Sequence, residues 1–280
     1  MTETHELDFD KAAGDPDRPT PRDLVLRIGL RVLVAVLAAL TSRQRDAGRT
    51  VFIVIGGFGP MLAAAIVISR TGGSLSRWLR SILRWRVSPV YYAYALGLPL
   101  LLAVILNLAL AVLGEQPDVS LVVERIPAYL QTLLLTAVIF GGQEEPGWRG
   151  FALPRLQQRH TPLVATLLLG LGWGIWHVPL YGPAGFVVPL VLAFYYTWLY
   201  NKTRSVLLCI LLHASFTPAQ DHLLLTADSP VVDAVLLSTY LLGAGLLIAL
   251  TRGRLGYRDT KSTAGSGEDD SSTPYSAEAP

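Results

Sequence analysis

The sequence predicts an all-α protein, a polytopic bundle of about eight transmembrane helices. Of its 280 residues, 51% are hydrophobic and only 16% are charged, and the mean hydropathy is +0.44. A soluble domain usually carries about 25% charged residues. The charged residues collect at the two ends and in short connecting stretches. Between them lie apolar runs, most of them close to the roughly 20 residues that a helix needs to cross a bilayer.

The predicted helices follow one another along one helical domain, residues 24–255. The polar segment 1–23 lacks the form of a cleavable signal peptide, so we expect a cytoplasmic tail there. Residues 256–280 are mostly small, polar or acidic, which is typical of disorder. None of the apolar runs alternates in the way that lipid-facing strands do. The eight runs are 24–40, 51–69, 91–113, 126–156, 162–181, 186–200, 205–217 and 232–250.

The placement of basic residues predicts the topology. They follow predicted helices two, four, six and eight, so the positive-inside rule puts those connections in the cytoplasm. Eight helices then leave both termini inside, in a multi-pass protein of the cell membrane. The connection after predicted helix one is an exception, because it also carries arginines. The residues that set this pattern, with the exceptions last, are Arg70, Arg77, Arg80, Arg84, Arg86, Arg155, Arg159, Lys202, Arg204, Arg252, Arg254, Arg258, then Arg43, Arg45 and Arg49.

The stretch 74–86 mixes arginine with tryptophan, leucine and isoleucine at near-helical spacing. One interpretation is a helix that lies at the cytoplasmic headgroup surface. The other is an ordinary basic loop with interfacial tryptophans. Neither interpretation gives this stretch a catalytic role.

Charged residues interrupt predicted helix four. An ionisable side chain inside a membrane helix is costly unless it is paired or hydrated, which makes it a functional candidate. Glu145 and Arg149 have the i, i+4 spacing of an intrahelical ion pair. Glu144 then has no partner within its own helix and is the candidate general base. Pro146 and Gly147 predict a kink or a loosened turn at this point.

Two further helices carry histidines in apolar surroundings. His177 lies four residues after Trp173 on predicted helix five, and His213 lies four residues before Thr217 on predicted helix seven. A lone histidine in such a run is usually a core residue. Two of them, together with the acidic pair on a third helix, favour one shared site. The single cysteine, Cys209, excludes an intrachain disulfide and a multi-cysteine zinc site.

These residues resemble the CPBP family of intramembrane proteases, named for CAAX proteases and bacteriocin-processing proteins, and in particular its bacterial branch. The family signature is Glu-Glu-x-x-x-Arg, then Phe-x-x-x-His, then His-x-x-x-Asn on three helices. The resemblance covers about residues 121–217 and departs from the signature twice, with tryptophan for phenylalanine and threonine for asparagine. The matching residues here are Glu144, Glu145, Arg149, Trp173, His177, His213 and Thr217.

The resemblance implies an intramembrane endopeptidase. Glu144 and His177 would activate a water, and His213, helped by Thr217, would stabilise the oxyanion. Glu145, Arg149 and Trp173 would have supporting roles. The family is also described as metalloproteases, and a glutamate with two histidines is a familiar zinc ligand set. Whether Glu144, His177 and His213 bind a metal such as zinc, or no cofactor at all, stays open. Threonine lacks the amide donor of asparagine, so catalysis is expected to be weakened or altered.

The expected partners are membrane lipids and a peptide or protein substrate at the membrane. Nucleic acid is not expected, since the chain has no long basic face with interleaved aromatic residues. Two alternatives to a protease stay open. One is an ion- or proton-coupled transporter, because buried charges around a broken helix also line ion pathways. The other is a non-catalytic immunity or scaffold protein of the membrane, built on the protease fold.

Overall fold

A computed structural model describes residues 56–257, apart from the side chain of Ala184. Predicted helix one, the start of predicted helix two, the N-terminal tail and nearly all of the C-terminal tail lie outside the described residues. The exceptional arginines after predicted helix one lie outside them too. All regular secondary structure within residues 56–257 is helical, which confirms the all-α prediction.

The described chain forms nine helical elements. The fifth, residues 142–157, is irregular and is treated separately below. The elements are α1 (Gly59–Arg70), α2 (Leu75–Ile82), α3 (Pro89–Val112), α4 (Leu121–Val138), α5 (residues 142–157), α6 (Pro162–Tyr181), α7 (Val187–Thr203), α8 (Val206–His222) and α9 (Pro230–Leu250).

Within residues 56–257, four segments are long and apolar enough to cross a membrane. They are α3, α6, α9 and the segment Leu121–Gln157, which comprises α4, the break at Gly141 and α5. Large apolar side chains on α3 point outward, among them Leu101 at 56% and Leu108 at 61% exposure, as expected of a surface that faces lipid. The predicted total of eight spans stays a prediction.

Helices α7 and α8 form the centre of the described bundle. Each has 17 residues and a largely buried surface. Tyr196 and Leu199 of α7, and Leu208 and Leu212 of α8, have no exposed surface. These side chains belong to one apolar cluster that also includes Trp173 of α6. The centre of the bundle therefore lies next to the helix that carries the first predicted catalytic histidine.

Helix α2 forms within the basic stretch 74–86. Ser74 caps it by accepting a hydrogen bond from the backbone N–H of Arg77 at 3.3 Å. Trp78 and Ile82 are buried against the bundle, while Arg77 and Arg80 are exposed. The interpretation as an irregular loop is therefore wrong for residues 75–82. Its location at the headgroups stays a prediction.

Predicted helix four is not continuous, and its break lies earlier than Pro146. Helix α4 ends at Val138, and α5 begins as a 3₁₀ turn at Gly142–Glu144. Gly141, between them, has φ +145°, a conformation that L side chains rarely adopt. The backbone N–H of Gly141 donates to Oε1 of Gln143 at 2.7 Å, and the amide of Gln143 donates to the carbonyl of Ile139. Gln143 thus satisfies backbone groups that the break leaves free.

The rest of α5 is also irregular. After one α-helical turn at Glu145–Gly147 the chain widens into a π-helix at Trp148–Ala152 and ends as α-helix at Leu153–Gln157. The loosened turn expected beside Pro146 is thus a π-helix that begins just after it. Gly147 lets α1 approach closely, because a Cβ there would lie 2.3 Å from the carbonyl oxygen of Pro60. The irregular backbone is covered by protein, as membrane segments require.

Candidate active site

Glu144 lies in the 3₁₀ turn at the start of α5 and is only 4% exposed. Three indole N–H groups donate to its carboxylate. Trp173 donates to Oε2 at 2.9 Å, Trp148 donates to Oε2 at 3.3 Å, and Trp176 donates to Oε1 at 3.3 Å. The expectation that Glu144 lacks a partner in its own helix is therefore wrong, since Trp148 lies four residues further along α5. Indole can only donate, so the carboxylate acts as acceptor in all three bonds.

The ion pair predicted from the spacing of Glu145 and Arg149 is present. Both side chains are fully buried, and Nη1 of Arg149 lies 3.0 Å from each carboxylate oxygen of Glu145. The guanidinium also lies close to two aromatic rings, with Cζ 4.1 Å from the ring centre of Trp173 and 4.3 Å from that of Tyr196. Cation–π contacts with both rings help to offset the cost of burying this charge.

His213 of α8 is bound to the second acidic residue of the motif, not the first. Its Nδ1 lies 2.9 Å from Oε1 of Glu145. A carboxylate can only accept, so Nδ1 carries the proton and Nε2 is left for other chemistry. Nε2 faces Gly141, where an added Cβ would lie only 2.4 Å away. The sequence gives no local signal of this contact, because the two partners are 68 residues apart.

His177 of α6 is held by its own helix. Its Nδ1 lies 2.9 Å from the carbonyl oxygen of Trp173, which can only accept, so Nδ1 is again the donor. In the neutral ring Nε2 is then an acceptor nitrogen. The ring stacks on Tyr181, with centroids 5.8 Å apart and planes inclined by 14°.

Trp173 joins the predicted site residues. Besides its hydrogen bond to Glu144, its ring makes edge contacts with both histidines, at centroid distances of 5.6 Å to His177 and 5.6 Å to His213. It is itself 2% exposed. The sequence predicted a supporting role for Trp173 and missed its indole N–H as a donor to the carboxylate. The structure thus brings all three residues that the sequence singled out around one indole.

Thr217 is half-buried on α8, one turn after His213. Its hydroxyl donates to the carbonyl oxygen of His213 at 3.4 Å, a bond within its own helix. The hydroxyl proton is therefore directed along the helix in this structure. A direct contribution of Thr217 to an oxyanion site stays a prediction.

A metal site requires several ligating side chains that lie close to one another. Within residues 56–257, no group of three or more His, Cys, Asp or Glu side chains is arranged to hold one. The carboxylate of Glu144 already accepts three N–H bonds, and Nδ1 of each histidine is engaged. A metal ion at Glu144, His177 and His213 stays a prediction, and the mechanism below uses none.

Comparison with known proteins agrees with this geometry. Residues 126–217 match the Rce1-like family of type II CAAX prenyl endopeptidases. The chain is also 31% identical over 134 residues to CAAX prenyl protease 2 of Methanococcus maripaludis, which covers 41% of this chain and 48% of that protein. The chain thus spans about half the length of this curated relative. The predicted resemblance to CAAX-type proteases is confirmed over this Rce1-like segment, which contains every predicted site residue.

Proposed function

We propose that this protein is an intramembrane endopeptidase of the CAAX protease and bacteriocin-processing type. Its substrate would be a peptide bond in a membrane-associated polypeptide. The observation that carries the proposal is the arrangement of Glu144, His177 and His213 around Trp173, on broken and buried helices within the Rce1-like segment. These are the residue types that general acid–base hydrolysis requires.

The attacking group is a water molecule. Glu144 accepts one of its protons, since a buried anionic carboxylate fixed by three donors is both oriented and free of competition from bulk water. His177 presents Nε2 as a second acceptor, because its Nδ1 donates to the backbone. Together the two groups orient the water and remove its proton as it attacks the carbonyl carbon. That proton then passes to the leaving amine as the C–N bond of the tetrahedral intermediate breaks.

His213 would stabilise the negative charge that develops on the substrate oxygen. With Nδ1 donating to Glu145, Nε2 donates to an oxyanion only when the ring is an imidazolium. The adjacent carboxylate of Glu145 stabilises that charge, and Arg149 holds the carboxylate in place. Preorganised donors of this kind supply a large share of many enzymatic rate enhancements.

The test compares Glu144→Gln with wild type. We expect the rate at which a membrane polypeptide is cleaved to fall by about 10²–10⁴-fold, the contribution typical of a positioned general base. Proteomics of membranes from cells that carry each variant identifies the uncut polypeptide, and purified protein in nanodiscs then confirms its cleavage. Glu124→Gln is the matched control, because Glu124 is exposed on α4.

Wild-type cleavage by Glu144→Gln, with the control also active, would refute the proposal. Absence of cleavage by both the wild-type protein and Glu144→Gln would instead favour the non-catalytic scaffold. Proton-coupled uptake by the wild-type protein in liposomes, abolished in Glu144→Gln, would favour the transporter.

A further inference from the structure

The acceptor capacity of Glu144 is nearly full. An ionised carboxylate offers about four lone-pair sites, two on each oxygen. The indoles of Trp148 and Trp173 take both sites of Oε2, and the indole of Trp176 takes one site of Oε1. About one site therefore remains, and it is on Oε1. That is room for one O–H donor.

The donors around Glu144 also affect which partner it can take. Each indole N–H points the positive end of a dipole at the carboxylate, and together the three bonds hold it in one orientation. The three indole groups carry no net charge, so they do not neutralise the negative charge of the carboxylate. A metal ion bound to the remaining lone pair would face the same positive dipole ends. The remaining acceptor site on Oε1 therefore favours the O–H of a water molecule over a cation.

The three tryptophans reach Glu144 from two helices. Trp148 lies four residues after Glu144 on α5, while Trp173 and Trp176 are three residues apart on one face of α6. The bonds from α6 therefore tie it to the broken start of α5. Because Trp173 also accepts from His177 through its carbonyl, the bond to Glu144 fixes the relative position of base and histidine.

We propose that Trp148, Trp173 and Trp176 form a hydrogen-bonding cage that orients the carboxylate of Glu144 and reserves Oε1 for a single water molecule. The three tryptophans are positioning residues, and Glu144 is a base rather than a metal ligand. This inference rests on the proposed function for the role of the water. The cage itself is independent of catalysis and is tested separately.

The direct test of the cage is nuclear magnetic resonance of the indole N–H groups, in protein labelled with ¹⁵N-tryptophan and held in nanodiscs. The chain has six tryptophans, so six indole signals are expected. Replacing Glu144 by glutamine removes the charge at nearly constant shape. We expect the three signals from Trp148, Trp173 and Trp176 to shift upfield. Those from Trp78, Trp85 and Trp198 should stay in place. Single Trp→Phe variants assign the signals.

The kinetic test separates positioning from stability. Trp173→Phe keeps an aromatic ring and removes one hydrogen bond to a charged group, so we expect kcat to fall about 10- to 100-fold with little change in KM. Trp198→Phe is the matched control, since Trp198 packs on Tyr91 and Tyr94 away from the site. We expect it to retain wild-type kcat. Thermal unfolding of both variants shows whether either loses the fold.

The metal content of the purified protein tests whether Glu144 acts as a base or as a metal ligand. We expect purified wild-type protein to bind zinc no more tightly than Glu144→Gln and to keep its activity after chelation. Bound zinc at one ion per chain that is lost in Glu144→Gln would overturn the proposal. So would unchanged indole signals in that variant, even if it had lost cleavage. Shifted signals with cleavage retained would leave the cage standing and refute the proposed function instead.

Discussion

Replacing Gly141 by alanine tests whether the break before α5 shapes the catalytic site. A Cβ at this position would lie 2.4 Å from Nε2 of His213, 2.8 Å from Cδ2 and 3.0 Å from Cε1. Ordinary contact begins near 3.4 Å, so the imidazole must withdraw by about 1 Å. That movement strains the 2.9 Å bond between Nδ1 and Glu145. Alanine is also disfavoured at φ +145°, with a strain of about 1–3 kcal/mol.

We therefore expect Gly141→Ala to lower kcat by about 10²-fold, the effect of a 1 Å misplacement in a catalytic site. The assay is cleavage of the identified polypeptide by purified protein in nanodiscs, with kcat and KM measured separately. Thermal unfolding is followed in parallel, because the strain also lowers stability.

Gly172→Ala is the matched control. Gly172 lies on α6 near the same site, yet an added Cβ would meet only ordinary contacts, the nearest being Trp148 at 3.8 Å. We expect this variant to retain wild-type kcat and to be slightly stabilised, since glycine in a helix interior costs roughly 0.5–1 kcal/mol relative to alanine. If Gly141→Ala and Gly172→Ala cleave equally fast, His213 does not act from the position described.

Two further variants test the polar groups behind the site. Glu145→Gln leaves the buried guanidinium of Arg149 without its counter-ion, so we expect a loss of about 3–5 kcal/mol in the free energy of unfolding, measured in detergent against Glu124→Gln. A loss no larger than that of the control would contradict a structural ion pair. Thr217→Asn restores the family's amide donor, and we expect kcat to rise, by up to about 10²–10³-fold, with KM unchanged. An unchanged kcat would place residue 217 outside the oxyanion site.

The features that the sequence predicted correctly depend on residues that are close together along the chain. The bounds predicted for α6, residues 162–181, are those of the structure. Thr161 caps its first turn, Pro162 is its first residue, and Gly182, with φ +72°, ends it. The pair formed by Glu145 and Arg149 was equally predictable, because residues four apart in a helix are neighbours.

The sequence did not predict the break before α5. Pro146 and Gly147 are strong helix-breaking signals, and the loosened turn predicted beside them is the π-helix at Trp148–Ala152. In the structure Pro146 lies near the start of a helical turn, where its missing N–H costs little. The break before α5 lies at Gly141, where the ring of His213 occupies the space that a side chain would need. That ring belongs to α8, far along the chain.

The amino-acid sequence by itself determined the apolar helices, the buried ion pair and the candidate residues Glu144, His177 and His213, but not Trp148 or Trp176. Each of these depends on residues within one helical turn or on the length of one apolar run. Only the tertiary structure decided that Trp173 donates to Glu144, 29 residues away, and that Glu145 binds His213, 68 residues away. These partners meet because α5, α6 and α8 pack side by side, and no spacing within a single helix encodes which of its faces another helix will cover.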